Sequence, residues 1–391
     1  MQTSKRRFLL AALSAPAIAA TSAFPTAALA KAVAPRAPAP RLTGTAEDQD
    51  RAVVAGIPEA RFSADRVDAY LAALGTAPIL SEAPWLALST GGENGAFGAG
   101  LLNGWSEAGT RPTYAVVTGV STGALIAPFA FLGPRWDGAL RDAYTAIGAS
   151  DVFEIGATET SLLDTWPLTR LIARHVTPDL LAAVALEHAK GRRLFVLTTN
   201  LDSGRPVAWN LGAIAAKGDA AALKLFRDVL LASGSIPGLF PPVVIDTVSQ
   251  GQPLQEMHAD GGITAPFYVA PEAVVADVAE PFPAREVHVV VNSRLEPEFL
   301  PTQRNLTSVI GNALSSAVKA GTRAALKVHA GFARERRIVL RVATIDAGYR
   351  APSSAPFDQT AMRALYAHAR RRARDGETFD VRPAGRIAGR S

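Results

Sequence analysis

The chain has 391 residues, 48% of them hydrophobic and 19% charged, with a formal net charge of +5 at pH 7. That suffices for one large globular domain or two small ones and is too apolar for a disordered chain. There is no cysteine, so disulfides, thiolate nucleophiles, iron–sulfur clusters, cysteine-ligated zinc and a lipid-modified N-terminal cysteine are excluded, and any catalysis must use oxygen or nitrogen groups.

The first segment reads as an export signal. Ser4-Lys5-Arg6-Arg7-Phe8-Leu9-Leu10 runs from a short basic region into an apolar stretch that continues to about Phe24 and closes on Ala28-Leu29-Ala30, a small-x-small cleavage pattern. Paired arginines ahead of Phe-Leu give it a twin-arginine character, although Lys5 stands where the first arginine belongs. Ser14, Pro16 and Thr21 interrupt the run before the roughly 20 apolar residues that a spanning helix needs. Cleavage of residues 1–30 and export, to the bacterial periplasm, are expected. Cleavage removes three cations and no acid, leaving +2 of the +5, which gives no electrostatic case for nucleic acid.

Residues 31–41, KAVAPRAPAPR, alternate Ala and Pro without a face to bury and read as an extended linker. A helix follows, with Ser63 as its cap, Asp65 in its first turn, Val67, Tyr70, Leu71 and Leu74 at helical spacing, and Gly75 as its stop. Thereafter apolar runs alternate with helical patterns. Strands are expected at Trp85–Leu88, Tyr114–Val117, Leu194–Leu197, Val287–Val291 and Ile338–Val342, with a short apolar run at Val243–Ile245. Helices are expected up to about Ala108, from Gly123 to about Leu132, over Ala220–Ser233, and from about Asn305 to His329. The last carries Leu306, Val309, Ile310, Ala313, Leu314 and Val318 on one stripe. Such alternation implies an α/β domain with a mostly parallel central sheet.

Three segments carry chemistry. Gly119-Val120-Ser121-Thr122-Gly123, between a predicted strand and a predicted helix, has the nucleophile-elbow pattern. A sharp turn lifts the serine hydroxyl from the sheet edge and aims a helix N-terminus at it. An ordinary glycine-rich turn is the plain alternative. Upstream, Ser89-Thr90-Gly91-Gly92-Glu93-Asn94-Gly95 closes a strand and can present backbone amides to an oxyanion. Phosphate-loop spacings are absent there, and Glu93 would repel phosphate. Asp260-Gly261-Gly262, after His258, is the third segment and would by itself be read as a tight turn.

In order and spacing these segments resemble the patatin-like phospholipases, as do Thr199–Gly204 and the stretch from Ala232 to Pro242. The resemblance covers about Trp85 to Thr264 and departs from the family pattern at Thr90, where a glycine is usual, and Asn94, where a cation is usual. It implies a three-layer α/β/α fold and a Ser–Asp dyad of Ser121 and Asp260. Gly91, Gly92 and Gly95 are then expected to form the oxyanion hole, and a lipid or other acyl ester to be the substrate. No cofactor or metal is expected. The domain plan that follows is a signal over 1–30, a linker and N-terminal helix over 31–80, the acyl hydrolase domain over 81–350, and a basic helix or tail over 351–391. A Ser–Asp–His esterase is the main rival, since His288, His329 and His368 follow Asp260, though none has a loop setting. An inactive exported binding protein is the other. From Asp358 a helix can carry Arg363, Arg370, Arg371, Arg372 and Arg374, expected to form a solvated face or, more sharply, a contact with anionic lipid head groups.

Overall fold

The computed structural model describes residues 40–156, 158–276, 282–297, 299 and 301–380. The export signal and most of the Ala/Pro linker lie outside the described residues. Residues from Arg41 onward form one compact unit. Its strands are β1 (Arg61–Ser63), β2 (Trp85–Leu88), β3 (Val116–Val120), β4 (Glu154–Ile155), β5 (Leu163–Asp164), β6 (Arg193–Asn200), β7 (Arg205–Asn210), β8 (Val243–Ser249), β9 (Gln252–Asp260), β10 (Glu286–Val291) and β11 (Val339–Thr344). Its α-helices are α1 (Ala46–Arg51), α2 (Val67–Leu74), α3 (Ile79–Glu82), α4 (Gly95–Glu107), α5 (Thr122–Leu132), α6 (Asp137–Thr145), α7 (Trp166–His175), α8 (Pro178–Ala189), α9 (Leu211–Lys217), α10 (Ala220–Ser233), α11 (Glu272–Ala276), α12 (Leu306–Arg336) and α13 (Gln359–Arg374).

The central sheet runs β1-β7-β6-β3-β2-β10-β11, with β9 joining β6 and β8 pairing β9. From β6 to β11 the ladder is parallel, while β1, β7, β8 and β9 attach antiparallel. The parallel strands are apolar on both faces, as a sheet covered on both sides requires. Period-2 alternation sorts their side chains into two cores: Leu86, Leu88, Val117, Leu194 and Val196 on one face, Trp85, Ala87, Val116, Phe195 and Leu197 on the other. The first core takes residues from α4, α5, α8, α10 and α13, the second from α2, α11 and α12. This is the expected three-layer α/β/α arrangement with a mixed, mostly parallel sheet.

One register detail sets up everything that follows. β3 pairs β6 from Arg193 to Leu197 and then leaves, with Val120 opposite Leu197. On β6 the next residue, Thr198, is opposite Asp260 at the end of β9. The residue after β3 and the last residue of β9 therefore meet at one seam.

One expectation is corrected, and two helices show what sequence spacing left open. Ser63 does not cap a helix: it is held in the β1–β7 ladder opposite Val207, and α2 starts at Val67 without a side-chain cap. On α12, capped by Asn305, the predicted stripe is not buried in its N-terminal half, with Leu306 60% and Val309 51% exposed. The C-terminal helix α13 is not a frayed tail: one face packs on α4, and the other is the expected solvated basic face, with Arg363, Arg370, Arg371 and Arg374 exposed. Gly100 and Gly104 of α4 admit its backbone so closely that a Cβ on either would sit 2.2 and 2.0 Å from the Tyr366 and Arg370 carbonyl oxygens. Met362, Leu365, Tyr366 and Ala369 are buried there. At the edges of that basic face Arg363 donates to the Thr145 carbonyl and Arg370 pairs with Glu107, while the more buried Arg372 pairs with Asp346 and Asp380.

Candidate active site

Ser121 follows β3 and stands at the N-cap of α5 with φ 57° and ψ −123°. A non-glycine residue held there costs on the order of 1–3 kcal/mol, which packing must offset. The flanking glycines are required by contact: a Cβ on Gly123 would lie 2.3 Å from the Leu88 carbonyl oxygen, and one on Gly119 2.4 Å from the Gly123 carbonyl oxygen. Ser233, fully buried at the end of α10, holds the turn from behind. Its hydroxyl accepts from the Ser121 amide at 2.9 Å and donates to the Leu197 carbonyl at 2.6 Å. The Ser121 amide is thus spoken for, whereas the Thr122 amide, in the first turn of α5, donates to no acceptor among the described residues.

Asp260 closes β9. One carboxylate oxygen accepts from the Gly262 amide at 2.7 Å, and its backbone carbonyl accepts from the Thr199 hydroxyl at 2.9 Å. Burial pushes its carboxyl up to about 6, against the opposing pull of the Ser121 hydroxyl and the Gly262 amide. That value suits a base operating near neutral pH.

The oxyanion loop divides the expected donors. The Thr90 amide is used on the Pro266 carbonyl and that of Asn94 on the Gly91 carbonyl. Among the described residues, Gly91 and Gly92 keep unclaimed amides, while the Glu93 amide faces its own carboxyl group. Gly95 does not join them: its amide is turned into the loop toward the Glu93 and Gly92 carbonyls. Its missing side chain serves packing instead, because a Cβ would sit 2.1 Å from the Thr122 hydroxyl oxygen. Burial raises the Glu93 carboxyl, which eases the repulsion an ionised carboxylate would exert beside these amides.

Asn292, fully buried just past β10, clamps this loop. Its amide donates to the Ser89 hydroxyl at 2.8 Å, its side-chain nitrogen to the Ser89 carbonyl at 2.9 Å, and its side-chain oxygen accepts from Gly98 at 3.1 Å. Sequence reading missed Ser233 and Asn292 alike. The only local signal for each is a polar residue ending an apolar run.

The four histidines that lie near or after Asp260 in the sequence are engaged elsewhere. His258 lies between Thr198 and Glu256, and Glu256 also pairs with the buried Arg61. His288 meets Tyr114 and Glu286, His329 the Ala325 carbonyl, and His368 Asp346. None of these partners is Asp260 or Ser121.

Beside Ser121 opens a pocket walled by α5, α6, α7 and α10 and by the turn after α10. Its apolar lining includes Leu125, Phe129, Leu168, Ile172, Ile236 and Phe240. A seryl hydroxyl beside a buried carboxylate, unclaimed amides nearby and an apolar slot together have the parts of an acyl-transfer site.

Residues 86–271 match the family described as patatin-like phospholipase. That match marks this stretch as a patatin-like phospholipase domain, a family whose members are generally lipid acyl hydrolases. Among curated proteins none matches the chain. Among solved structures it is similar to VipD from Legionella pneumophila, with 13% sequence identity and a TM-score of 0.38, over 76% of this chain and 67% of that one.

Proposed function

We propose that this protein cleaves carboxylic esters of lipids, in the manner of a phospholipase A or lysophospholipase, through a Ser121–Asp260 dyad and an acyl-enzyme. The observation that carries the reading is the seam on β6, where β3 hands over to β9 and sets the strained serine against a buried carboxylate at the mouth of an apolar pocket. In the first half-reaction Asp260 takes the Ser121 proton as the oxygen attacks the ester carbonyl. The Gly91 and Gly92 amides, with that of Thr122 beside them, stabilise the tetrahedral oxyanion. Collapse expels the alcohol, which leaves with the proton held by Asp260, and the acyl group stays on Ser121. Water then attacks the acyl-enzyme, giving its proton to Asp260. The second collapse releases the acid and returns the proton to Ser121.

A carboxylate of ordinary pKa, about 3.9, is a weak base at neutral pH. Its raised affinity for the proton and the preorganised amides share the work. Labelling with a fluorophosphonate probe tests the assignment. Wild type should label, Ser121→Ala and Asp260→Asn should not, and a Gln substitution at each of the six histidines should leave labelling intact. An indispensable histidine would replace the dyad with a triad, and an unlabelled wild type would point to a fold without catalysis. We further propose that residues 1–30 export the enzyme to the periplasm. A secreted form beginning at Lys31 is the expected outcome, and an intact Met1 in the cytosol would refute it.

A further inference from the structure

Thr90 stands where the family pattern has a glycine, and its φ is not in the left-handed region, so the backbone does not oblige a glycine there. What its side chain does is set by its neighbours. A Cβ on Gly262 would lie 3.3 Å from Thr90 Oγ1, 3.2 Å from Thr90 Cγ2 and 3.0 Å from Asp260 Oδ1. The hydroxyl and the carboxylate oxygen therefore face one gap, kept open because residue 262 has no side chain, and are no more than about 6.3 Å apart, a spacing that one water can bridge. They are not hydrogen-bonded to each other, and Thr90 Oγ1 has no hydrogen-bond partner among the described residues. Thr90 is half-buried and Ile263, next to Gly262, is 47% exposed, so water reaches the gap.

The gap is apart from the acyl slot. Gly92, Ser121 and Thr122 line the acyl pocket, whereas Thr90, Asp260 and Gly262 do not. In acyl transfer the side of the dyad away from the acyl chain holds the alcohol half of the ester first and then the water that replaces it, because the same base must protonate the one and deprotonate the other. A water there has two protons to place. With one directed at the Asp260 carboxylate and the other at Thr90 Oγ1, a lone pair is left for the acyl carbon and the molecule is held in a reactive orientation. A carboxylate alone fixes one O–H and leaves the other to bulk solvent.

We infer that Thr90 positions the water that releases the acyl group, Thr90 Oγ1 accepting a hydrogen bond from one O–H of that water while Asp260 takes the proton of the other. In this step the water oxygen bonds to the acyl carbon and its second O–H bond breaks, the proton passing to Asp260. Collapse then breaks the bond between the acyl carbon and Ser121, Ser121 recovers the proton from Asp260, and the Thr90 hydroxyl is unchanged. The inference rests on the acyl hydrolase reading and deepens its second half-reaction alone, which gives it a signature of its own. Wild type, Thr90→Val, which keeps the branched shape, and Thr90→Ser, which keeps the hydroxyl, would be acylated with p-nitrophenyl acetate, the burst followed by stopped flow and the decay of the acyl-enzyme by intact mass. Thr90→Val is expected to match wild type in burst rate and in the rate of fluorophosphonate labelling, which establishes that the variant is folded, and to lose its acyl group to water about 10- to 100-fold more slowly. Where deacylation limits turnover, kcat and KM then fall together while kcat/KM, which reports the first half-reaction, holds. Thr90→Ser should restore the decay. Methanol has a single O–H to place and needs only Asp260, so in Thr90→Val the ratio of methyl ester to free acid among the products should rise by about the same 10- to 100-fold. Decay unchanged in Thr90→Val, a burst that slows along with it, methanolysis and hydrolysis slowed alike, or no rescue by Thr90→Ser would each overturn the inference. A wild type that neither labels nor forms an acyl-enzyme would remove the hydrolase reading and this inference with it, whereas an acylated wild type whose deacylation ignores Thr90 would remove this one alone.

Discussion

The pocket fixes a length as well as a polarity. Ser121, Leu125 and Phe129 line it from one face of α5, and eight residues at a rise of about 1.5 Å span about 12 Å. With C–C bonds of about 1.5 Å an extended acyl chain advances roughly 1.3 Å per carbon, so about nine carbons fit between the nucleophile and the Phe129 ring. His175 stands against that ring, with centroids 6.3 Å apart, and the two close the far end. Each buried methylene contributes about 0.8 kcal/mol, or roughly fourfold in kcat/KM. Across a series of p-nitrophenyl esters from acetate to palmitate, kcat/KM is expected to rise about fourfold per carbon, reach its plateau near nine carbons, and gain nothing further. Leu125→Trp places an indole one turn from Ser121, about 5.4 Å along the helix, and should bring the plateau down to about four carbons with acetate turnover retained. Phe129→Leu should move it outward by about one or two carbons, because the end wall recedes while the site stays apolar. If Leu125→Trp keeps acetate turnover and the wild-type chain-length profile, the acyl chain does not run along α5. If acetate turnover is lost as well, the Phe129→Leu profile decides the question.

Four other outcomes follow from groups around the seam. Wild-type kcat/KM should fall about tenfold per unit as pH drops below the Asp260 value of about 6, since only the carboxylate can take the Ser121 proton. The same group opposes folding when ionised: its pKa is raised in the fold from 3.8, so the penalty is fully present above about 6 and absent below 3.8. Asp260→Asn, though inactive, should therefore gain on the order of 2–3 kcal/mol in urea unfolding at pH 8 and lose that gain by pH 4; equal stability at pH 8 would refute the burial argument. Ser233→Ala removes the acceptor of the Ser121 amide and the donor to Leu197, and should lower kcat about 10- to 100-fold with KM little changed and stability reduced by about 1–3 kcal/mol; unchanged kcat would show that the elbow holds without it. Glu256→Gln leaves Arg61 charged and buried without its counter-ion, and should destabilise the protein by about 3–5 kcal/mol in the same unfolding assay while Ser121 still labels with fluorophosphonate.

The parallel strands were legible because a sheet covered on both faces needs near-continuous apolar runs, and Trp85–Leu88 and Val287–Val291 are such runs. The elbow and Asp260 were legible because their chemistry is local: a strained turn needs glycines beside it, and a tight turn needs them after the aspartate. β9 was not legible. Glu256 and His258 interrupt any apolar pattern there, and the distant Arg61 and Thr198 are what make their burial tolerable. Ser63 failed as a cap for the same kind of reason, since its competing partner is Val207, far along the chain. Gly95 was placed among the donors because glycine in an anion loop suggests an amide on display; the contact of α4 with Thr122, which in fact demands a glycine there, lies beyond local pattern. On α12 helical spacing gave the helix correctly, and spacing alone cannot tell an apolar stripe that meets protein from one that does not.

The groove cut into α4 by Gly100 and Gly104 makes the support of the loop ahead of α4 a late event in the folding of the chain. The helix that begins in the oxyanion loop is backed by α13, and the Asn103–Tyr366 hydrogen bond joins residues 263 positions apart. Until α13 has left the ribosome, a nascent chain holds both Ser121 and Asp260 but presents a bare glycine face where α4 is supported in the fold. Contacts so distant in sequence form slowly and late. A product truncated ahead of Gln359 would thus keep Ser121 and Asp260 and still lack the helix that backs α4.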